Sequence, residues 1–212
     1  MFRNRIILTL PLVILNVILF VFAGCGGNGT GPGYNVRANL DLGWDYFSDG
    51  DYSDAIDKFT EVLQNSEDNP EAYLGRGWCY AFMRQFTNAV ANFQSTLDER
   101  DDIDANMGLA AIYRDQPDYV TAISNASEVI EADSNYQFSK KTSIDYKDAH
   151  LIKAQCYYRL GSDEFPEAHI EVNYLCDDLG LNLLPDPSNL EPSEYEQALV
   201  EKIEELTDLI SD

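Results

Sequence analysis

Residues 39–47 read NLDLGWDYF and residues 73–82 read YLGRGWCYAF, and these stretches hold the chain's only two tryptophans, Trp44 and Trp78, 34 residues apart. The surrounding positions match slot for slot. Self-similarity at this spacing is the signature of a helix-turn-helix solenoid, in which no unit buries its apolar face alone and each stacks on its neighbour.

The register extends in both directions. The first unit carries Asn39, Leu42, Gly43 and Tyr46, then Ala55 and Phe59; the second carries Tyr73, Arg76, Gly77 and Tyr80, then Ala89 and Phe93. A third follows with Asn106, Leu109, Ala110 and Tyr113, then Ala122 and Ala126, and a fourth with His150, Lys153, Ala154 and Tyr157, then Ala168 and Val172. Glycine or alanine lets two helices approach at their crossing while the aromatics fill the space beside it, and helical spacing puts these positions on one stripe. The turns Gly50-Asp51-Tyr52, Arg84-Gln85-Phe86, Pro117-Asp118-Tyr119 and Asp163-Glu164-Phe165 each set an aromatic just ahead of the next helix's packing alanine.

This pattern resembles the tetratricopeptide repeat, whose signature is Trp-x2-Leu-Gly-x2-Tyr followed by Ala-x3-Phe. The resemblance implies an all-α, right-handed solenoid of about four units, at 36–69, 70–102, 103–134 and 147–180, interrupted by an insertion at 135–146. Arg76, Lys153 and Ala126 depart from the pattern and no unit has its closing proline, so looser local packing is expected there. The insertion, with the adjacent pair Lys140 and Lys141, reads as a solvated loop, with a docking site as the alternative. A proline-punctuated loop at 181–192 precedes an amphipathic helix at 193–212, with Leu199, Ile203, Leu206 and Ile210 on one face and Ser193 and Glu196 as a capping box. That helix is expected to cap the last unit's open side.

At the other end, Arg3 and Arg5 precede an apolar run from Ile6 to Phe22 and then small residues, the three parts of a secretory signal. Phe22-Ala23-Gly24-Cys25 resembles the lipobox of bacterial lipoproteins. The resemblance implies a signal peptide at 1–24, cleavage before Cys25, acylation of Cys25 and anchoring in the cell envelope. With Gly26 following the cysteine, the outer membrane is the expected destination. An uncleaved anchor helix is the alternative, weakened by Pro11 and Asn16. Residues 25–35 form a glycine-rich tether, short enough to keep the folded part near the membrane.

With 14 Lys plus Arg against 37 Asp plus Glu, the net charge is -23, which opposes binding to nucleic acid. His150 and His169 are the only histidines, there is no HExxH, GxSxG or P-loop pattern, and the acidic clusters at 49–54 and 98–104 lack calcium-loop spacing. No cofactor, metal or catalytic activity is expected. His150, in an aromatic slot, reads as a packed imidazole. Cys79 and Cys156 share a repeat slot and read as apolar packing, although a Cys156–Cys176 disulfide is permitted in an oxidising compartment.

The first helices carry a second apolar stripe: Leu40, Trp44 and Phe47; Leu74, Trp78 and Phe82; Met107; and Tyr158. By resemblance this stripe lines a concave groove that takes an extended peptide or partner helix. Arg37, Arg114 and Arg159 lie near it and are candidates for pairing with a carboxylate. A protein partner is therefore expected, with glycan or small-ligand binding by the groove aromatics as the alternative; Trp44 and Trp78 packed against adjacent helices, or a groove filled by the tether or the terminal helix, are the others.

Overall fold

The structure, a computed structural model, describes residues 34–211, so the signal segment, Cys25 and most of the tether lie outside the described residues. Among the described residues there are nine α-helices: α1 (Val36–Asp49), α2 (Tyr52–Asn65), α3 (Pro70–Phe82), α4 (Phe86–Glu99), α5 (Ile103–Asp115), α6 (Tyr119–Ala132), α7 (Tyr146–Leu160), α8 (Phe165–Asp178) and α9 (Pro192–Ser211). Each helix up to α8 packs on the next in sequence, and α1, α3, α5 and α7 also pack on one another in series. The second helices make no comparable contacts among themselves, so the first helices form the inner, concave row. The expected all-α solenoid is what the chain forms.

Local chemistry sets the helix starts. Asn35, Asn69, Asp102 and Asp118 accept from the backbone N–H of Ala38, Ala72, Ala105 and Thr121, and Pro70 occupies a first-turn position where its missing N–H costs nothing. Gly50, at φ 83°, closes α1 in the left-handed conformation that lets the chain reverse into α2.

Two phenylalanines explain the glycine slots. Phe59 of α2 is wedged between Gly43 of α1 and Gly75 of α3; a Cβ on either glycine would sit 2.7 or 2.3 Å from its ring. Phe93 of α4 repeats this between Gly77 and Gly108, where the corresponding distances are 2.8 and 2.4 Å. Each wedge is fully buried, contributing roughly 2–3 kcal/mol, and fills its own pair and the next at once.

Two of the three departures from the repeat pattern, Arg76 and Lys153, are tied by polar contacts, contrary to the looser packing expected of them, and Ala126 is fully buried. Arg76 donates from Nε to Asn92 Oδ1 at 2.7 Å and from Nη1 to Thr60 Oγ1 at 3.4 Å, linking α3 to both α2 and α4. Lys153 Nζ lies 2.6 Å from Glu171 Oε1, and His150 Nδ1 2.5 Å from Glu171 Oε2, with the imidazole stacked on Tyr174 at 4.0 Å. Burial alone pushes the Glu171 carboxyl up, but the hydrogen bonds and charge of His150 and Lys153 outweigh it and hold the group below its ordinary value.

Helix α9 lies across α7 and α8, burying Leu199, Ile203 and Leu206. Its start differs from the expected Ser193–Glu196 box: Pro192 opens the helix, and Glu194 accepts from the Glu191 N–H at 3.3 Å. Cys79, Cys156 and Cys176 are buried free thiols, so the permitted Cys156–Cys176 bond is not formed.

Candidate functional site

The largest departure from expectation is the insertion. Residues between α6 and α7 form a small hairpin, with a bridge between Gln137 and Asp145 and hydrogen bonds from Phe138 N to Ile144 O and from Tyr146 N to Tyr136 O. Phe138 points from it into the concave row and is fully buried. Its ring stacks on Trp78 with centroids 4.8 Å apart and meets Trp44 and Phe47 edge-on at 6.2 and 6.3 Å. Lys140 Nζ lies 5.0 Å from the Trp44 ring centroid and Lys141 Nζ 5.4 Å from that of Phe82, contacts worth about 0.5–1 kcal/mol each when exposed.

The stripe expected to be open to a partner is therefore covered. Leu40, Trp44, Phe47, Leu74, Trp78 and Met107 are at most 5% exposed, and of the stripe only Phe82 and the more distant Tyr158 are half-buried. The reason is physical: two tryptophans in one concavity form an apolar surface too large to leave in water, and Phe138 fills it. Among the described residues this stretch of the groove is filled by the insertion and not by α9. Trp44 Nε1 donates to Glu71 Oε1 at 3.1 Å, whereas the buried Trp78 Nε1–H has no partner. Trp78 also lines a cavity of about 200 Å³ with Phe82, Phe86, Ile112 and Ile144.

Behind Phe138, Tyr136 is buried with its hydroxyl beside Asp104 but outside hydrogen-bonding geometry. Burial pushes the Asp104 carboxyl up to about 6. Asp148, in a capping box with Asp145 at the start of α7, is pushed up to about 6 for the same reason.

The remaining expected residues come together further along the same face. Arg114, Tyr158 and Arg159 line a cavity of about 790 Å³ bounded by α5, α7 and α9. Arg114 pairs with Asp115 at 3.0 Å and reaches Gln155 Oε1 at 3.4 Å, while Gln155 donates to Thr207 of α9 at 2.9 Å. Tyr158 stacks on Phe165 at 5.3 Å. Arg159 is exposed and makes no ion pair among the described residues. Glu204 and Asp208 of α9 face this cavity from the opposite wall, so its two sides carry opposite charge. Arg37, in contrast, lies at the far end of the row and is engaged by Asp41 and Glu71.

Sequence reasoning missed Tyr136, Phe138 and Ile144. Their signal was the alternation of Tyr136 and Phe138, the period of an extended segment with one buried side. It also missed Gln155 and Thr207, which no repeat slot marks.

The tetratricopeptide repeat family model matches residues 46–112. Among solved structures, the chain is similar to MamA 41-end from Desulfovibrio magneticus RS-1, at 15% identity over 84% of this chain and 97% of that one, with a TM-score of 0.57. It is also similar to MamA AMB-1, at 15% identity over 80% and 97% with a TM-score of 0.57. A thermophilic TPR protein of Thermus thermophilus matches at 17% identity over 81% and 83% with a TM-score of 0.54. No curated protein matches. Such identities speak to the fold alone. Tetratricopeptide repeats are protein-interaction modules and not catalytic domains, in keeping with a non-enzymatic scaffold. Residues 46–112 thus match the tetratricopeptide repeat, within a helical solenoid of the fold that these structures share.

Proposed function

We propose that this chain is a membrane-anchored scaffold of the bacterial cell envelope that holds a segment of a partner protein on its concave face, in the cavity between α5, α7 and α9. The observation that carries this reading is the convergence of Arg114, Tyr158 and Arg159 in one open cavity whose opposite wall bears Glu204 and Asp208. A partner helix or extended segment with charges of both signs fits such walls, and Tyr158 offers it an aromatic anchor. The lipobox-like Phe22-Ala23-Gly24-Cys25 supports a lipid anchor, with the outer membrane as its destination. With Trp44 and Trp78 buried, a sugar ring has no groove tryptophan face on which to stack, which removes the main support for glycan binding.

The test is cross-linking and affinity capture from the native membrane with the wild type and with a Tyr158→Ala, Arg159→Glu double variant. Neither position is buried, so the variant is expected to fold. Capture of a protein by the wild type, weakened tenfold or more in the variant, is the expected result; equal capture by both would place the site elsewhere.

A further inference from the structure

We propose that the part of the concave face nearest α1 and α3 is a docking site for an extended segment of a partner protein carrying an aromatic residue, one spacer and two basic residues, and that the hairpin at 136–145 occupies it in cis until such a segment displaces it. This extends the scaffold reading to a second stretch of the same face and rests on its protein-binding character.

Three observations carry it. First, the groove already holds this chemistry: Phe138 sits among Trp44, Phe47 and Trp78, and after the spacer Ser139 the ammonium groups of Lys140 and Lys141 lie over Trp44 and Phe82. In a chain of net charge -23, a basic segment is the complementary partner. Second, the hairpin is held to the groove by side chains only. Its backbone hydrogen bonds close on itself and on its own two ends, and among the described residues none reaches α1, α3 or α5. It can therefore leave as a unit without breaking a helix.

Third, the hairpin leaves something unused. Beside Phe138 lies the cavity of about 200 Å³ lined by Trp78, Phe82, Ile112 and Ile144, and the Trp78 Nε1–H is buried without an acceptor. A partner segment that put an apolar side chain into this space and a carbonyl on Trp78 would gain contacts that the hairpin lacks. It needs them, because a tethered occupant competes at an effective concentration on the order of millimolar.

The test uses the full chain and a synthetic peptide of residues 135–145, NYQFSKKTSID, followed by tryptophan fluorescence. The Phe138→Ala variant is expected to bind this peptide at least tenfold more tightly than the wild type does, and not to bind the same peptide with its phenylalanine replaced by alanine. A variant with native circular dichroism that binds the peptide no better than the wild type overturns the proposal. Should the variant not fold, hydrogen exchange on the wild type decides: amides of 136–145 are expected to open well before those of α3 and α5, and opening only with those helices overturns it. A wild-type dimer with exchanged hairpins, seen by size exclusion and dissociated by the peptide, would assign the groove to a second copy and overturn the partner reading. The titration does not read the Arg159 cavity, so its failure with capture there intact discards this docking site alone.

Discussion

The Phe138 ring stacks on the Trp78 ring, centroids 4.8 Å apart and planes 22° apart, which joins the segment after α6 to the middle of α3. Replacing Phe138 with alanine removes a fully buried ring from an aromatic surround. The expected cost is about 3 kcal/mol, at the low end for such a truncation because the hairpin can detach instead of leaving a void. Thermal unfolding reads the loss, and tryptophan emission is expected to shift to the red as Trp44 and Trp78 meet water.

Gly75 meets Phe59 so closely that an added Cβ would lie 2.3 Å from its Cζ. Gly75→Ala is expected to destabilise by about 1–3 kcal/mol, and Phe59→Leu in the same chain to recover part of it. A double-mutant cycle in urea measures the coupling, and additive effects would contradict the wedge.

Glu171 pairs with two side chains of α7, the buried His150 and the half-buried Lys153. Glu171→Leu leaves both without their acceptor and is expected to cost about 3–5 kcal/mol, read as a fall in melting temperature. Because the Glu171 carboxyl is held below its ordinary value, its contribution is present above that value and lost as pH falls through the folded one.

Asp104 behaves in the opposite sense. Burial raises its folded pKa from 3.8 to about 6, so its contribution to stability is complete below about 4 and is lost as pH rises through about 6. Asp104→Asn is expected to be more stable than the wild type at pH 7, by on the order of 1 kcal/mol, and to flatten the stability profile between pH 4 and 6. Urea midpoints across that range check the sign.

The thiols of Cys79 and Cys156 are pushed up to about 12 by burial, and Cys176 is raised as well. A thiol reagent is expected to leave all three unmodified in the native protein and to titrate them on unfolding without reductant. Titration of only Cys79 would mean that Cys156 and Cys176 are bonded.

The solenoid was legible because its packing rule is local. Gly43, Gly77 and the phenylalanines Phe59 and Phe93 sit at fixed offsets, and each offset maps to one contact in the structure. What covers the groove was not legible in the same way. Phe138 lies in a segment that breaks the period, and its partners Trp44 and Trp78 are distant in sequence, so no repeat slot links them. Lys140 and Lys141 read as solvated because their charge is visible in sequence and the aromatic faces beneath them are not. Arg114, Tyr158 and Arg159 were placed on the inner row by register, but the wall opposite them belongs to α9, whose docking angle no repeat specifies.

A stack of helix pairs ordinarily touches only its neighbours, and such an array can fray one pair at a time from either end. By reaching back to Trp44 and Phe47 on α1, Phe138 gives this stack a contact that skips whole pairs. That contact can form only once the chain has been made past residue 138, so seating the hairpin adds a loop closure that the stacking of helix pairs alone does not require.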